Sequence, residues 1–487
     1  MITSTSSQAS APSSAAPSIA AQASAAPSSA ADTPHTAPAA RPVSPQESPR
    51  DSRPGGRYSR LPLLAGKGFI PLGLFARLPL AMLTVGALTL VTSVTGSYAV
   101  GGAAAGAVGI GSALGAPVLG ALADRLGQRP VLIFAATFNT VAVAALILTA
   151  YFVPAGQDLA AALPVLAAAF VAGASCPQVG PLARVRWMAL TARGGRDSRA
   201  RDLDAALSYE STADELTFVL GPALVGILAS LIAPWIPLAL AAALTATLVP
   251  AFAVHRTHLA VPLSVRRPRT SRPRSSRSSR DAGTAADPAV PGRSATGMAA
   301  VALPFLAMVC MGTFFGSTQT GLSSFSASFA AAEIAGLLYA VMGLSSAAAA
   351  LSVAYWPQGF SLSARWMVSA ASMAGLAVLL LLPGSTLPMV LVLLVLGLPV
   401  GPLMVTVFAI GGVVAPAGRL GTVMTALASG IVAGTALGSS IAGQLAQHQG
   451  YTAAFMVPVC AAAGLFLLGA AAAVVVRNRK STAAAGN

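Results

Sequence analysis

In the stretch "YESTADELTFVLGPALVG" (residues 209–226), three carboxylates, Glu210, Asp214 and Glu215, precede an apolar run that holds one Gly-Pro step, Gly221-Pro222. Acids at the mouth of an apolar segment can do three kinds of work. They can cap a helix N-terminus, where the macrodipole favours an anion by about 0.3–1 kcal/mol; Glu210 suits that task best. They can neutralise buried arginines, and Arg77 in "LFARLPLAM" and Arg184 and Arg186 in "ARVRW" are available. They can also carry protons, since an acid withdrawn from water can load and release a proton near neutral pH. Asp214 is the first candidate for that last task and Glu215 the second. Pairing and proton exchange coexist readily, because an ion pair that breaks on protonation is a coupling device. Arg77 either snorkels to a membrane surface or offers a fixed positive charge to an acid or an anionic substrate. On a helix, Glu210, Asp214, Thr217 and Gly221 share one face, with Glu215 and Pro222 on the next.

The elements that must position these groups follow from composition. Of 487 residues, 55% are hydrophobic and 9% charged, against about a quarter charged in soluble chains. Apolar runs of about 20 residues, continuous instead of alternating, specify an all-α polytopic membrane protein and exclude a transmembrane barrel. Twelve transmembrane helices are expected at 70–96, 98–122, 130–153, 159–183, 207–231, 234–254, 298–320, 334–355, 365–384, 386–410, 420–445 and 452–476. The chain then divides into a disordered Ser/Ala/Pro-rich tail (1–67), a six-helix bundle (68–254), a basic linker (255–297), a second six-helix bundle (298–476) and a short tail (477–487).

The net charge of +15 is distributed in a pattern. Arginine and lysine fall in the N-terminal tail, after spans 2, 4, 6, 8 and 10, and in the C-terminal "RNRK"; the connections after odd-numbered spans hold none. The positive-inside rule then puts both termini and the linker in the cytoplasm, as expected of a multi-pass protein of the bacterial inner membrane. Nucleic acid is not expected as a partner, since no folded module or interleaved aromatics accompany the basic runs. Cys176, Cys310 and Cys460 lack metal-ligand spacing, and no catalytic constellation is present, so no enzyme, metal or cofactor is expected.

An internal repeat links the two bundles. "VGPLARVRW" (179–187) matches "VGPLMVTVF" (400–408), and "LGPALVGILA" (220–229) matches "LGSSIAGQLA" (437–446). Two parallel six-span repeats flanking a cleft describe a rocker-type secondary transporter. The alignment sets Leu427, Ile431 and Val432 against Glu210, Asp214 and Glu215, so the acids serve something beyond holding the helix.

The loop "GALADRLGQRP" (120–130) resembles the loop 2–3 signature of the major facilitator superfamily, with Gly120, Asp124, Arg125, Gly127 and Arg129 in place and Gln128 where a second basic residue is common. The resemblance implies that Asp124 latches onto the start of span 11, near Leu420–Thr422, in the outward-facing state. "LGPALVG", with Gly221, Pro222 and Gly226, is similar to the span 5 motif of proton-coupled drug antiporters. It departs from that motif at Val225 and Thr217, and "LAAAFVAGAS" (166–175) lacks the arginine expected within span 4.

The resemblance further implies a cavity lined by spans 1, 4, 7 and 10, for which Thr84, Thr89, Thr92, Ser175, Gln178, Phe314, Phe315, Ser317, Thr318 and Gln319 are candidates. Such a lining suits a small amphipathic compound. Pro177, Gly180 and Pro181 in span 4, and Gly401 and Pro402 in span 10, are expected to bend the two helices at related positions. The expectation is a monomeric transporter that exports a small amphipathic molecule against proton entry. An importer and a non-transporting membrane sensor are the alternatives.

Overall fold

Each apolar run forms a helix in the computed structural model, because only a helix satisfies its backbone polar groups within one membrane-crossing segment. The structure describes residues 56–152, 160–262, 295–329 and 334–485. Among them, twelve helices are long and apolar enough to span a membrane. Spans 1–6 are Phe69–Thr95, Val100–Leu126, Gln128–Ala150, Leu163–Thr191, Ser198–Leu231 and Ile236–Val254. Spans 7–12 are Ala300–Ser328, Ile334–Tyr355, Leu362–Leu381, Thr386–Val414, Leu420–Gln449 and Tyr451–Ala473. We call the end that carries the 2–3 and 10–11 turns the basic end.

Two boundaries differ from expectation in ways that matter for the site. Span 4 runs to Thr191 instead of ending near 183, so Arg184 and Arg186 lie inside it, at 1% and 0% exposure. Span 5 belongs to a helix that starts at Arg196, so Glu210 sits fourteen residues in, about 21 Å along the axis. Helix capping by Glu210 is thereby excluded, since the dipole acts only on the first turn.

The tail and linker boundaries shift as well. Leu61–Ala65 is already a helical turn whose Leu61 and Ala65 are buried, so the fold begins well before residue 68. After span 6, Arg256–Ala260 forms a 3-10 turn; most of the linker, like most of the N-terminal tail, lies outside the described residues. The last helix continues to Ala485, through most of the expected C-terminal tail.

Prolines accompany breaks in two spans, while other spans run through theirs. Span 1 is interrupted at Ala76 and Arg77, between Phe69–Phe75 and Leu78–Thr95. Pro79 has no N–H to offer Phe75, and its ring crowds that carbonyl. Span 4 is interrupted at Ser175–Gln178, between Leu163–Ala174 and Val179–Thr191, beside Pro177 and Pro181. Span 10, by contrast, stays one helix through Pro399 and Pro402. The expected matching bends therefore reduce to one. Gly401 has another use: a Cβ there would lie 2.2 Å from Ser346 O, so it lets span 10 approach the backbone of span 8.

Glycine sets the helix contacts of the C-terminal half. A Cβ at Gly434 would lie 2.0 Å from Val309 O, one at Gly438 2.2 Å from Thr313 O, and one at Gly312 2.0 Å from Ile431 O. Spans 7 and 11 thus touch backbone to backbone, the small-residue mode of membrane packing. In the N-terminal half the repeat-related pair, spans 1 and 5, makes one comparable contact, Gly221 against Ala81. Charge supplies the rest.

Candidate functional site

Arg77 occupies the break in span 1, where its side chain leaves the helix and turns toward span 5. Its Nε donates to Gly73 O at 2.9 Å, its Nη2 lies 2.6 Å from Glu210 Oε2, and its Nη1 reaches Asp214 Oδ1 at 2.7 Å and Glu210 O at 3.2 Å. At 4% exposure it does not snorkel. Of the two accounts open in the sequence, the structure shows pairing with acids.

Arg184 closes the other side of Asp214, with Nη2 2.7 Å from Oδ2. Glu210 takes a third donor from span 4, the Trp187 indole Nε1 at 2.8 Å from Oε1. A Cβ at Gly180 would stand 3.2 Å from Asp214 Oδ1, so the missing side chain there makes room for the cluster. Two guanidinium groups and two carboxylates, drawn from spans 1, 4 and 5, form one closed charge-neutral set. Partner and donor satisfaction of this kind is what makes buried charge tolerable. The Arg184 guanidinium also lies 4.0 Å over the ring of Phe408 in span 10, which ties the cluster to the other half. Its Nε and Nη1 have no hydrogen-bond partner among the described residues.

Glu215 stands apart. It faces span 8, where Ser346 Oγ donates to its Oε1 at 2.9 Å; it is 6% exposed, and no cation pairs with it among the described residues. One turn earlier, Thr212 Oγ1 donates to Ala347 O at 3.1 Å. Glu215 therefore sits on the seam between the halves, whereas Asp214, the leading sequence candidate for proton exchange, is held by two arginines.

Arg186 is buried with no acid paired to it among the described residues. Its Nε donates to Gln128 Oε1 at 2.8 Å, its Nη1 to Phe252 O at 2.7 Å and to Thr257 Oγ1 at 3.0 Å, and it packs 3.9 Å over the Phe252 ring. Gln128 thus meets an arginine from span 4 at the position where the loop signature commonly has a second basic residue. The neighbouring His255 is held below the usual imidazole range by burial and by Arg186, Arg256 and His258.

At the basic end, Asp124 accepts from Gly421 N at 2.8 Å and from Thr422 N and Thr422 Oγ1 at 2.7 Å. The two amides are N–H groups left over at the start of span 11, where the dipole favours an anion. Gly120 permits the approach, since a Cβ there would lie 2.0 Å from Thr425 Oγ1, and Gly127 makes the turn at φ +92°. Arg125 and Arg129 are exposed. In span 5, a Cβ at Gly226 would meet nothing, and the helix passes unbroken through Pro222.

The cavity candidates scatter. Thr84 and Gln319 are exposed, and Thr89 bonds its own helix at Val85 O. Gln178 is buried, its Nε2 donating to Cys176 O, and Ser317 is buried with its hydroxyl on Thr313 O. Phe314 and Phe315 belong to the core of the C-terminal half. Of these four, Gln178 and Ser317 bond within their own spans, and the two rings fill space between helices. Trp187, Phe408 and Ser346 were missed. Only Trp187 left a signal, as an aromatic three residues after a charged one in a span.

The geometry can now be set beside known proteins. The family model described as Major Facilitator Superfamily matches residues 70–425. The chain belongs to the major facilitator superfamily. It is accordingly a multi-pass membrane transporter and not an enzyme. A comparison with curated protein sequences finds no match. Among solved structures, it resembles the human organic anion transporter MFSD10 at TM-score 0.59 and 20% identity, over 82% of this chain and 98% of that one. A bacterial homologue of the iron transporter ferroportin in an outward-facing state gives TM-score 0.59 and 14% identity, over 83% and 99%. The Escherichia coli fucose:proton symporter FucP gives 0.52 and 14%, over 83% and 98%. At these identities the likeness is one of fold.

Proposed function

We propose that this superfamily member is a proton-coupled exporter of a small amphipathic compound, of the drug antiporter branch, in the bacterial inner membrane with its basic end toward the cytoplasm. The single observation that carries coupling is Glu215, a carboxyl buried between the halves, without a cation and with one hydroxyl partner. A neutral acid satisfies that hydroxyl; an anion there costs more unless water or a donor reaches it. Loading and unloading of Glu215 would then accompany separation of span 5 from span 8. Asp214 moves from first to second place, because its two arginines already compensate its charge. The Arg77–Arg184–Glu210–Asp214 set is assigned the task of holding spans 1, 4 and 5 together as one body.

Export is supported by the Gly-Pro step in span 5, Gly221-Pro222, through its similarity to the span 5 motif of drug antiporters. Asp124 on the start of span 11 corresponds to a closed cytoplasmic side, hence an outward-facing arrangement of a functional monomer. The driving force available is about 1.4 kcal/mol per pH unit and about 2.3 kcal/mol per 100 mV.

The test is proton flux in inside-out vesicles with an acid interior, followed by a pH dye while a panel of amphipathic compounds is added. Compound-triggered alkalinisation that is lost in Glu215→Gln supports the reading. Alkalinisation retained in Glu215→Gln and lost in Asp214→Asn would return the coupling role to Asp214. Silence from correctly inserted protein with every compound would point to import or to a role without transport.

A further inference from the structure

The residues just before span 1 do something that their composition does not suggest. Tyr58 Oη donates to Leu351 O at 2.5 Å, and Arg57 Nη1 donates to Ala354 O at 2.6 Å. Both acceptors are carbonyls near the end of span 8, in the opposite half of the molecule. Carbonyls at a helix C-terminus lack intrahelical donors and carry the negative end of the dipole, so an arginine and a phenol are suitable partners. Arg57 also lies 5.7 Å from the centre of the Tyr355 ring, and Tyr58 packs edge-on against that ring at 6.1 Å. Burial pushes the Tyr58 phenol up to about 12, so the hydroxyl remains a donor across physiological pH.

The segment is anchored on the other side. Leu61, Ala65 and Phe69 are each 1% exposed and belong to the core of the N-terminal half. Phe69 meets Trp187 at 5.2 Å and Phe252 at 5.6 Å. One end of this short segment is thus fixed in one half while the other grips the second half.

The basic end is also sealed by apolar contact, where Leu207, Met188 and Leu203 pack against Ala350, Val353, Val405 and Ala409. Beside that seal an open pocket of about 700 Å³ is bounded by both halves, including Asp124, Val185 and Met188 from one and Ala409, Val413 and Leu420 from the other. Polar rim contacts add to that apolar seal: Asp124 on span 11, Asp204 on Arg365 at 3.2 Å, and the Arg57–Tyr58 pair on span 8.

We propose that Arg57 and Tyr58 form a strap that holds the basic end shut, making the segment before span 1 a working part of the gate. Opening of that end requires Tyr58 and Arg57 to release the end of span 8. Removal of residues 1–55 leaves the strap in place, whereas a cut at residue 60 destroys it.

The experiment is a distance distribution between spin labels at Arg193 and Ala417, one in each half at the basic end, in the full chain. Cys310 and Cys460 are replaced by serine, while Cys176 at 1% exposure stays unlabelled. The combined Arg57→Gln, Tyr58→Phe variant is expected to raise the ratio of separated to closed populations roughly tenfold, the effect of losing two such bonds. Arg60→Gln is the control, because its ion pair to Asp202 at 3.5 Å stays within its own half and Arg60 is 56% exposed. It is expected to leave the distribution unchanged. A parental distribution in the combined variant, or an equal shift in Arg60→Gln, would overturn the strap.

Discussion

Spans 1 and 5 in one half, and spans 7 and 11 in the other, are repeat mates joined by opposite means. In the first pair, Arg77 bonds Glu210 and Asp214 across the interface. In the second, Gly312, Gly434 and Gly438 let the backbones touch. The repeat sets Leu427 and Ile431 where Glu210 and Asp214 stand, and Val405 and Val407 where Arg184 and Arg186 stand; all four apolar residues are buried. One scaffold thus accepts either chemistry at the same positions. What differs is the consequence of a change. Glycine contacts fail by overpacking, and charge clusters by loss of a counter-charge.

The largest expected effect comes from Arg77→Met. It leaves Glu210 and Asp214 short of a partner in a buried site, which costs about 3–5 kcal/mol, so the melting temperature in detergent should fall steeply or folded protein should vanish. Installing the repeat's own residues, Arg184→Val, Glu210→Leu and Asp214→Ile, on top of Arg77→Met should restore much of that loss without restoring transport. A combined variant as unstable as the single one would show that the two halves are not interchangeable in this way.

Next in size is an exchange at the position where the repeat pairs Thr217 with Gly434. Gly434→Thr should cost about 1–3 kcal/mol through overpacking against Val309 O. Thr217→Gly should cost about 1 kcal/mol or less, mainly helix propensity. Thermal melts of the two variants check the asymmetry, and equal losses would break it.

Asp124→Asn weakens charge-assisted bonds at the start of span 11, worth about 1.5–3 kcal/mol together with their neighbours. Separation of the basic end, read with the Arg193–Ala417 label pair, should increase while the melting temperature moves little, since each half keeps its own core.

The smallest effect concerns pH. His255 is depressed below its ordinary value, so the folded arm after span 6 prefers neutral imidazole, whose Nδ1 accepts from Thr257 N at 3.4 Å. The stabilisation is present above the ordinary histidine range and is lost as pH falls below it. The protection of the Thr257 amide, measured against its intrinsic exchange rate at each pH, should fall on going from about pH 8 to about pH 5.5, within the range where histidine titrates, and His255→Asn should flatten that dependence.

Much of this was legible in the sequence. All twelve spans were, because hydropathy and the charge alternation are local signals; span 8 lies where expected, at Ile334–Tyr355. The Asp124 contact was readable through the loop signature. Errors gathered where charge enters a span. "ARVRW" stands at the expected end of span 4, yet Arg184 and Arg186 lie buried inside that span, because their partners Asp214 and Gln128 lie 30 and 58 residues away in sequence. "RDSRARDLDAAL" reads as a connection, yet it is the first third of the span 5 helix. Ser346 and Phe408 are ordinary residues in composition, and only the packing of one half on the other gives them charged neighbours.

The most direct test takes the compound with the strongest response in vesicles and measures two modes in Glu215→Gln. One is accumulation driven by a pH gradient; the other is exchange of labelled for unlabelled compound at equal pH. The account predicts that gradient-driven accumulation disappears while exchange persists, since the scaffold charges remain paired and only the proton-exchanging group is gone. Accumulation that persists at the parental level in Glu215→Gln would contradict it.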